Sequence, residues 1–175
     1  MMLDEGFLPV RFARTVVVLH PGAEPTGQSD VPFAAPNPNN EVLTEAEQQA
    51  FDTAMLELLP ASTPCKFALY GGFSSFREGK ELERLGMKRI EGRLNFFVGE
   101  GELSKHLFRA TDEAFGGFLP LSYLWAEDGS WFLASPPDLD FTAVGCGDEI
   151  AERLLSDLTP NSLDWPELQV AHAPQ

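Results

Sequence analysis

The amino-acid sequence predicts a single α+β domain with a largely antiparallel sheet, a C-terminal β-hairpin and about four helices. A length of 175 residues suits one domain, and 43% hydrophobic with 22% charged residues is typical of a globular protein. Strand-like and helix-like segments alternate along the chain without an internal repeat, which is typical of this fold class. An Asp-Gly pair at residues 128–129 lies between two apolar runs, which indicates a hairpin.

The first third of the chain predicts one strand, one loop and one helix. The run TVVVLH at residues 15–20 is rich in β-branched residues, as buried strands are. Residues 21–41 are rich in proline, glycine and asparagine, and we expect a flexible loop there. A capping box begins at Thr44, whose hydroxyl is placed to accept from the Glu47 amide. An apolar stripe follows, and Pro60 ends this predicted helix.

The middle of the chain predicts two strands and two helices. The run CKFALY at residues 65–70 and the run LNFFV at residues 94–98 are predicted strands. Between them, SFRE at residues 75–78 is a second capping box, and it opens a weaker helix that ends near Gly86. A further helix is predicted over residues 104–114 because a serine cap precedes it and a Gly-Gly pair follows it.

The strongest local signal is SYLWAEDGSWFLAS, residues 122–135. The Asp128-Gly129 pair favours the two-residue type I′ turn, and that turn places Trp125 opposite Phe132. Both faces of the predicted hairpin are apolar, with Tyr123, Trp125 and Phe132 on one and Leu124, Trp131 and Leu133 on the other. We expect helices to cover one face and either other chain segments or a partner to cover the second.

The segment DFTAVGCGDEIAERLL, residues 140–155, has the outline of a nucleotide-phosphate loop: a strand, a Gly-x-Gly turn and a helix. A dinucleotide-binding loop needs a third glycine where this chain has Ile150. Asp148 and Glu149 lie where a phosphate would approach the helix N-terminus, and their carboxylates would repel it. We therefore predict that the glycines only turn the last strand into the last helix. In that helix Asp148 is the predicted N-cap and Glu149 is predicted to pair with Arg153.

The formal net charge of −15 is concentrated in the C-terminal third of the chain. Residues 110–175 carry 12 acidic side chains and one basic side chain, whereas residues 66–109 have a small basic excess. This balance argues against nucleic-acid binding, which needs clustered lysine and arginine. It indicates either a solvated surface with internal charge pairing or an acidic surface that meets a basic partner.

Several features indicate a cytoplasmic location. The sequence has no signal-peptide core, and no stretch reaches the roughly 20 apolar residues of a membrane helix. Cys65 and Cys146 stand apart without a zinc or redox motif, so we expect both to be reduced thiols in the core.

Few residues suggest catalysis or metal binding. Asp138 and Asp140 share one face of an extended segment and, with Asp148, are candidate oxygen ligands for Mg²⁺ or Ca²⁺. The alternative is that these are strand-edge acids that discourage edge-to-edge pairing. His106 lies beside basic residues and is a candidate general base. Because no nucleophile, P-loop or metalloprotease motif occurs, we expect no cofactor and no catalytic residue.

The C-terminal half carries a tryptophan-containing hairpin, an Asp-x-Asp pair, a Thr-x-Val-Gly run and a helix. These features fall on Trp125, Trp131, Asp138, Asp140, Thr142, Val144, Gly145 and residues 148–158. In this order they resemble a family of uncharacterised actinobacterial proteins, over about residues 94–157. The family pattern has proline and arginine in the turn and a second glycine where this chain has Cys146. The resemblance implies a fold and no activity.

The sequence thus predicts a non-enzymatic, acidic, cytoplasmic protein that binds another protein with a basic surface. The most specific form of this prediction is an immunity- or inhibitor-type protein that masks a basic site on a toxin or nuclease. The predicted partner-binding residues are Trp125, Glu127, Asp128, Asp138, Asp140, Asp148 and Glu149. Two alternatives stay open: a small enzyme or metal- or ligand-binding protein that uses Asp138, Asp140 and His106, and a homodimer that pairs through the hairpin.

Overall fold

The described residues form one eight-stranded sheet in which every neighbouring pair of strands is antiparallel. The structure, a computed structural model, describes residues 12–19, 56–72, 80–84, 86–91, 95–103, 122–135, 141–157 and 162–164. The strands are β1 (Arg14–Leu19), β2 (Pro64–Tyr70), β3 (Lys88–Ile90), β4 (Phe96–Glu102), β5 (Tyr123–Ala126), β6 (Phe132–Ala134), β7 (Phe141–Cys146) and β8 (Ser162–Asp164). Their order across the sheet is β3-β4-β2-β5-β6-β7-β1-β8.

The helical residues that the structure describes are few. They are α1 (Lys80–Arg84), α2 (Asp148–Asp157) and residues 56–58. Helix α1 ends in a Schellman motif: the Gly86 N–H donates to the Glu83 carbonyl oxygen at 3.0 Å, and the Met87 N–H donates to the Leu82 carbonyl oxygen at 3.0 Å. Gly86 has φ +83°, the left-handed conformation that this motif requires. The predicted end of this helix near Gly86 is confirmed.

The described helical residues pack on one face of the sheet, which we call the first face. Leu58, Leu82 and Leu154 bring the three helical segments into one apolar cluster. The strands supply the rest of that cluster, including Val16, Val18, Cys65, Phe67, Leu69, Phe97, Leu124, Leu133, Val144 and Cys146. This burial is the main stabilising contribution to the fold, at about 25 cal/mol per Å² of apolar surface.

The second face of the sheet is aromatic. Phe96, Tyr123 and Phe132 are buried there, and their rings follow one another with centroid distances of 5.4 and 5.9 Å. Trp125 stacks on Phe132 at 6.1 Å and is only half-buried. Offset and edge contacts at these distances are favourable for aromatic rings.

The predicted α+β class with about four helices is wrong for the part of the chain that the structure describes. Strands make up 48% and helices 23% of it, so the fold is mostly antiparallel β. The difference arises because the paired backbone of β3, β8 and the end of β4 lacks the apolar alternation on which strand prediction depends. The capping boxes at Thr44 and Ser75, the predicted helix over residues 104–114 and the predicted loop over residues 21–41 lie outside the described residues.

The hairpin of β5 and β6 has the predicted register and faces. Trp125 lies opposite Phe132 and Leu124 opposite Leu133. The turn itself differs from the prediction: type I′ needs positive φ at both Asp128 and Gly129, and of these two only Gly129, with φ +74°, has it. The Gly129 N–H donates to the Ala126 carbonyl oxygen at 3.0 Å, and the Asp128 carboxylate accepts from the Ser130 N–H at 2.8 Å.

The two glycines of the Gly-x-Gly turn have different tasks. A Cβ on Gly145 would lie 2.4 Å from the Phe12 ring, so this glycine makes room for an aromatic side chain. The Gly147 carbonyl oxygen accepts the first helical bond of α2, from the Ala151 N–H at 3.1 Å. Gly147 is therefore the N-cap, and the assignment of the N-cap to Asp148 was wrong by one position.

Both cysteines are free and buried, as predicted. Cys65 pairs with Ala126, and Cys146 follows Gly145, which pairs with Phe132. Three strand spacings therefore separate the two cysteines, roughly 14 Å. A disulfide needs Cα atoms less than about 7 Å apart, so these two thiols have no means of joining.

Candidate protein-binding site

The sheet topology brings acidic residues from distant parts of the sequence to one end of the sheet. At this end β2 begins, β4 ends, β5 turns into β6, and β7 passes into α2. We call the described carboxylates at this end the acidic end: Glu100, Glu102, Glu127, Asp128, Asp148, Glu149 and Glu152. All seven residues are exposed. Three basic residues lie among them: Arg14 and Lys66 at the starts of β1 and β2, and Arg153 directly after Glu152 in α2.

The hairpin tip presents two carboxylates in a fixed arrangement. The Glu127 N–H donates to the Pro64 carbonyl oxygen at 2.9 Å, which ties the tip to the start of β2. The Ser130 hydroxyl and then the Ser130 backbone N–H hold the pKa of Asp128 below its usual value, because both stabilise its charged form. Asp128 therefore keeps its negative charge to a lower pH than an unpaired aspartate.

The N-terminal turn of α2 presents Asp148 and Glu149 next to an arginine. The Arg14 guanidinium lies 2.5 Å from a Glu152 carboxylate oxygen and 4.0 Å from an Asp148 carboxylate oxygen. This arginine links β1 to α2 and is mostly covered, while both carboxylates are more than 70% exposed. The predicted pair between Glu149 and Arg153 is not formed. Arg153 instead donates to the Glu57 carbonyl oxygen at 3.4 Å.

The sequence did not predict that Glu100 and Glu102 belong to this site. They alternate with glycines in GEGE at residues 99–102, and this run lacks the apolar residues that mark a strand. The run is nevertheless the second half of β4, where Glu100 pairs with Lys66 and Glu102 with Pro64. The alternation of acid and glycine was the available signal, since a period of two is that of a strand.

Trp125 lies beside these charges on the second face. It pairs across the sheet with Lys66, whose ammonium is 3.5 Å from a Glu127 carboxylate oxygen. A half-buried tryptophan with carboxylates close by resembles the centre and rim of a protein interface. Trp125, Glu127, Asp128, Asp148 and Glu149, which the sequence predicted separately, thus lie at one end of the sheet.

Asp138, Asp140 and His106 lie outside the described residues. Within the residues that the structure describes, no three histidine, cysteine or acidic side chains are grouped as metal ligands. Among the described helices, none has the length and apolar character needed to cross a membrane.

The two thiols are poorly suited to nucleophilic chemistry. Burial, and secondarily the Glu127 charge, raises the pKa of Cys65 to about 11, so the reactive thiolate is scarce near neutral pH. Cys146 is 1% exposed within the first-face cluster. The chemistry that the acidic end offers is electrostatic: several exposed carboxylates at one end attract and orient a cationic surface.

Comparison with family models finds no match for this sequence. Comparisons with curated proteins and with solved structures find none either. The resemblance to the actinobacterial family therefore stays a prediction.

Proposed function

We propose that this protein binds another protein through the acidic end of its sheet, and that the bound surface is basic. The observation that carries the proposal is the convergence of seven exposed carboxylates, from three separate chain segments, with only three basic residues among them in the described chain. Complementary charge raises the association rate and selects against partners of the same sign. The half-buried Trp125 supplies an aromatic contact beside the charges.

The most specific form of the proposal is an immunity- or inhibitor-type protein in the cytoplasm that covers a basic site on a toxin or nuclease. Enzymes that bind nucleic acids carry clustered lysine and arginine, and a carboxylate-rich surface competes for the same groups. Trp125, Glu127, Asp128, Asp148 and Glu149 are the proposed contact residues of the described chain.

The burial pattern favours this function over a homodimer that pairs through the hairpin. Tyr123 and Phe132 on one hairpin face, and Leu124 and Leu133 on the other, are each at most 6% exposed in the single chain. The hairpin strands also occupy central positions in the sheet, with β2 on one side and β7 on the other.

The test is affinity capture from the native host with charge-reversed variants. We expect the double variant Glu127→Lys/Asp148→Lys to lose at least about tenfold in affinity for the captured partner, since close interfacial charge pairs are worth several kcal/mol. The matched control is Glu83→Lys/Asp157→Lys, which makes the same charge change on α1 and at the far end of α2.

Two results would contradict the proposal. One is an equal loss of affinity in the control, which would mean that only the net charge matters. The other is a captured partner whose binding is insensitive to salt, because surface charge pairs weaken as ionic strength rises. For the inhibitor form, the purified protein should also suppress the partner's toxic or nuclease activity.

A further inference from the structure

In the part of the chain that the structure describes, one edge of the sheet is paired over only half its length. Strand β3 pairs with the first part of β4, with Ile90 opposite Phe96, Arg89 opposite Phe97 and Lys88 opposite Val98. Strand β4 continues for four residues beyond this pairing, Gly99 to Glu102, and among the described residues these pair with β2 alone, on their inner side. Glu100, Gly101 and Glu102 are exposed.

The end of α1 explains why β3 stops where it does. Continuing the β3–β4 register would place Met87 opposite Gly99 and Gly86 opposite Glu100. The N–H groups of Gly86 and Met87 are instead bonded to the carbonyl oxygens of Glu83 and Leu82. The Schellman motif thus turns the chain off the sheet, and no other strand of the described chain pairs with the outer side of residues 99–102.

The direction of the backbone groups on β4 follows from its inner hydrogen bonds. The Leu103 N–H donates to the Thr63 carbonyl oxygen at 2.8 Å, and the Leu103 carbonyl oxygen accepts from the Ser62 N–H at 3.1 Å. Alternate residues of an antiparallel strand direct their backbone groups to the same side. Gly99 and Gly101 therefore bond inward, while Glu100 and Glu102 direct their N–H and carbonyl groups outward at the open edge.

The side chains at this edge define what fits there. Glu100 and Glu102 lie on the second face, and neither makes an ion pair with another described residue. Gly99 and Gly101, which alternate with them on the first face, present no side chain to an incoming strand. Residues directly opposite in an antiparallel pair share a face, with Cβ atoms about 5 Å apart.

We propose that a basic, extended segment of the partner adds to this edge as a strand, in line with β3 and antiparallel to residues 99–102. Lysine or arginine side chains at alternate positions of that segment lie opposite Glu100 and Glu102, and its backbone bonds their outward N–H and carbonyl groups. This inference rests on the proposed function and specifies how the basic partner is held. Strand addition of this kind takes affinity from main-chain bonds and specificity from alternate side chains.

A second copy of this chain fits the edge poorly. Two copies of residues 99–102 pairing with each other would place glutamates opposite or diagonal to glutamates, and like charges across a strand pair are destabilising. The β3 edge beside it carries Lys88 and Arg89, and a lysine on an edge strand likewise discourages pairing between copies.

The experiment uses the full chain and a fluorescein-labelled peptide, acetyl-Lys-Val-Lys-Val-Lys-amide, followed by fluorescence anisotropy. A counterpart peptide, methylated on the backbone nitrogens of its lysines, keeps the charge and loses the N–H groups that would face β4. We expect the methylated peptide to bind at least about tenfold more weakly, which corresponds to 1.4 kcal/mol.

Two protein variants separate the contribution of the Glu100 carboxylate to peptide binding from that of the Glu100 backbone N–H. Glu100→Gln removes the carboxylate and keeps the N–H, whereas Glu100→Pro removes both. Proline is tolerated on an edge strand where the N–H of the replaced residue faces solvent, so we expect the fold to persist. Circular dichroism checks this. We expect Glu100→Pro to weaken peptide binding at least about threefold more than Glu100→Gln does, because only proline removes the outward N–H.

The outcomes separate this inference from the proposed function. Equal binding of the two peptides, or no saturable binding up to about 1 mM, overturns strand addition. If both peptides bind equally and the variant Glu127→Lys/Asp148→Lys binds neither, the proposed function stands and strand addition does not. If Glu100→Pro fails to fold, the methylated peptide still decides the question with the unaltered protein.

Discussion

At the scale of single residues, the glycine at position 145 has a packing task that is invisible in the sequence. Gly-x-Gly before a helix suggests a phosphate loop, and nothing in the pattern indicates that an aromatic ring lies against the first glycine. The Phe12 ring comes from a segment far away in sequence and reaches Gly145 because β1 pairs with β7. A similar contact occurs at Gly99, where a Cβ would lie 2.5 Å from the Phe67 ring.

We predict that Gly145→Ala lowers the free energy of unfolding by about 1–3 kcal/mol, because the added methyl group overpacks against Phe12. Gly147→Ala is the control, since a Cβ there meets nothing within 4 Å and the change costs about 1 kcal/mol or less at the N-cap. Urea denaturation measures both. A smaller loss from Gly145→Ala in a Phe12→Ala background would identify the ring as the cause, and an unchanged loss would exclude it.

Cys65 makes the free energy of unfolding depend on pH in the alkaline range. Burial and the Glu127 charge raise the pKa of its thiol from 9.0 to about 11 in the folded protein. The folded state therefore holds the proton more tightly than the unfolded state, and this contribution is complete below about pH 9 and lost as pH rises to about 11. We predict that the free energy of unfolding falls across this window, by at most about 1.4 kcal/mol per pH unit. Cys65→Ala should flatten the fall, and a slope unchanged by that variant would refute this assignment.

At the scale of elements, the hairpin was predictable and the edges of the sheet were not. The register of β5 and β6 follows from alternating apolar residues around Asp128-Gly129, and the structure has it. Strands β3 and β8 are three residues each and have little apolar character, so only their pairing with longer strands defines them. The second half of β4 is a strand for the same reason, since Gly and Glu have low strand propensity.

Part of the candidate site was likewise predictable from the sequence and part was not. Glu127, Asp128, Asp148 and Glu149 could be selected from the sequence because charge and turn signals coincide at each. Their convergence at one end follows from the antiparallel succession β5-β6-β7, in which strands that are adjacent in sequence also pair. Glu100 reaches the same end through the pairing of β4 with β2 and of β2 with β5, which join segments distant in sequence and which no local pattern encodes.

The glycine that ends α1 gives a prediction at this scale. Gly86 has φ +83°, and a Cβ there would meet nothing within 4 Å, so its substitution tests backbone strain alone. We predict that Gly86→Ala lowers the free energy of unfolding by about 1 kcal/mol, and that Gly86→Asn costs less because asparagine tolerates the left-handed region. Thermal unfolding distinguishes the two. Equal costs would mean that strain at this residue is not the cause.

At the scale of the whole molecule, the charge of −15 opposes the compact state. We predict that raising the NaCl concentration from about 0.01 M to about 0.15 M increases the melting temperature, because the Debye length falls from about 30 Å to about 8 Å and repulsion between carboxylates is screened. The same salt should weaken binding of the basic partner. A melting temperature that falls with salt would mean that the attractive pairs, such as Arg14 with Glu152, outweigh the repulsion.

The position of β1 between β7 and β8 has a consequence for how the chain folds. Arg14 and Glu152, which meet across this part of the molecule, are 138 residues apart in sequence. During synthesis, the two strands that pair with β1, namely β7 and β8, are therefore made last among the described strands. Until then the apolar valines of β1 have neither of these two neighbours to pair with. Such long-range closure is slow, and refolding followed by stopped-flow fluorescence should fall between milliseconds and seconds.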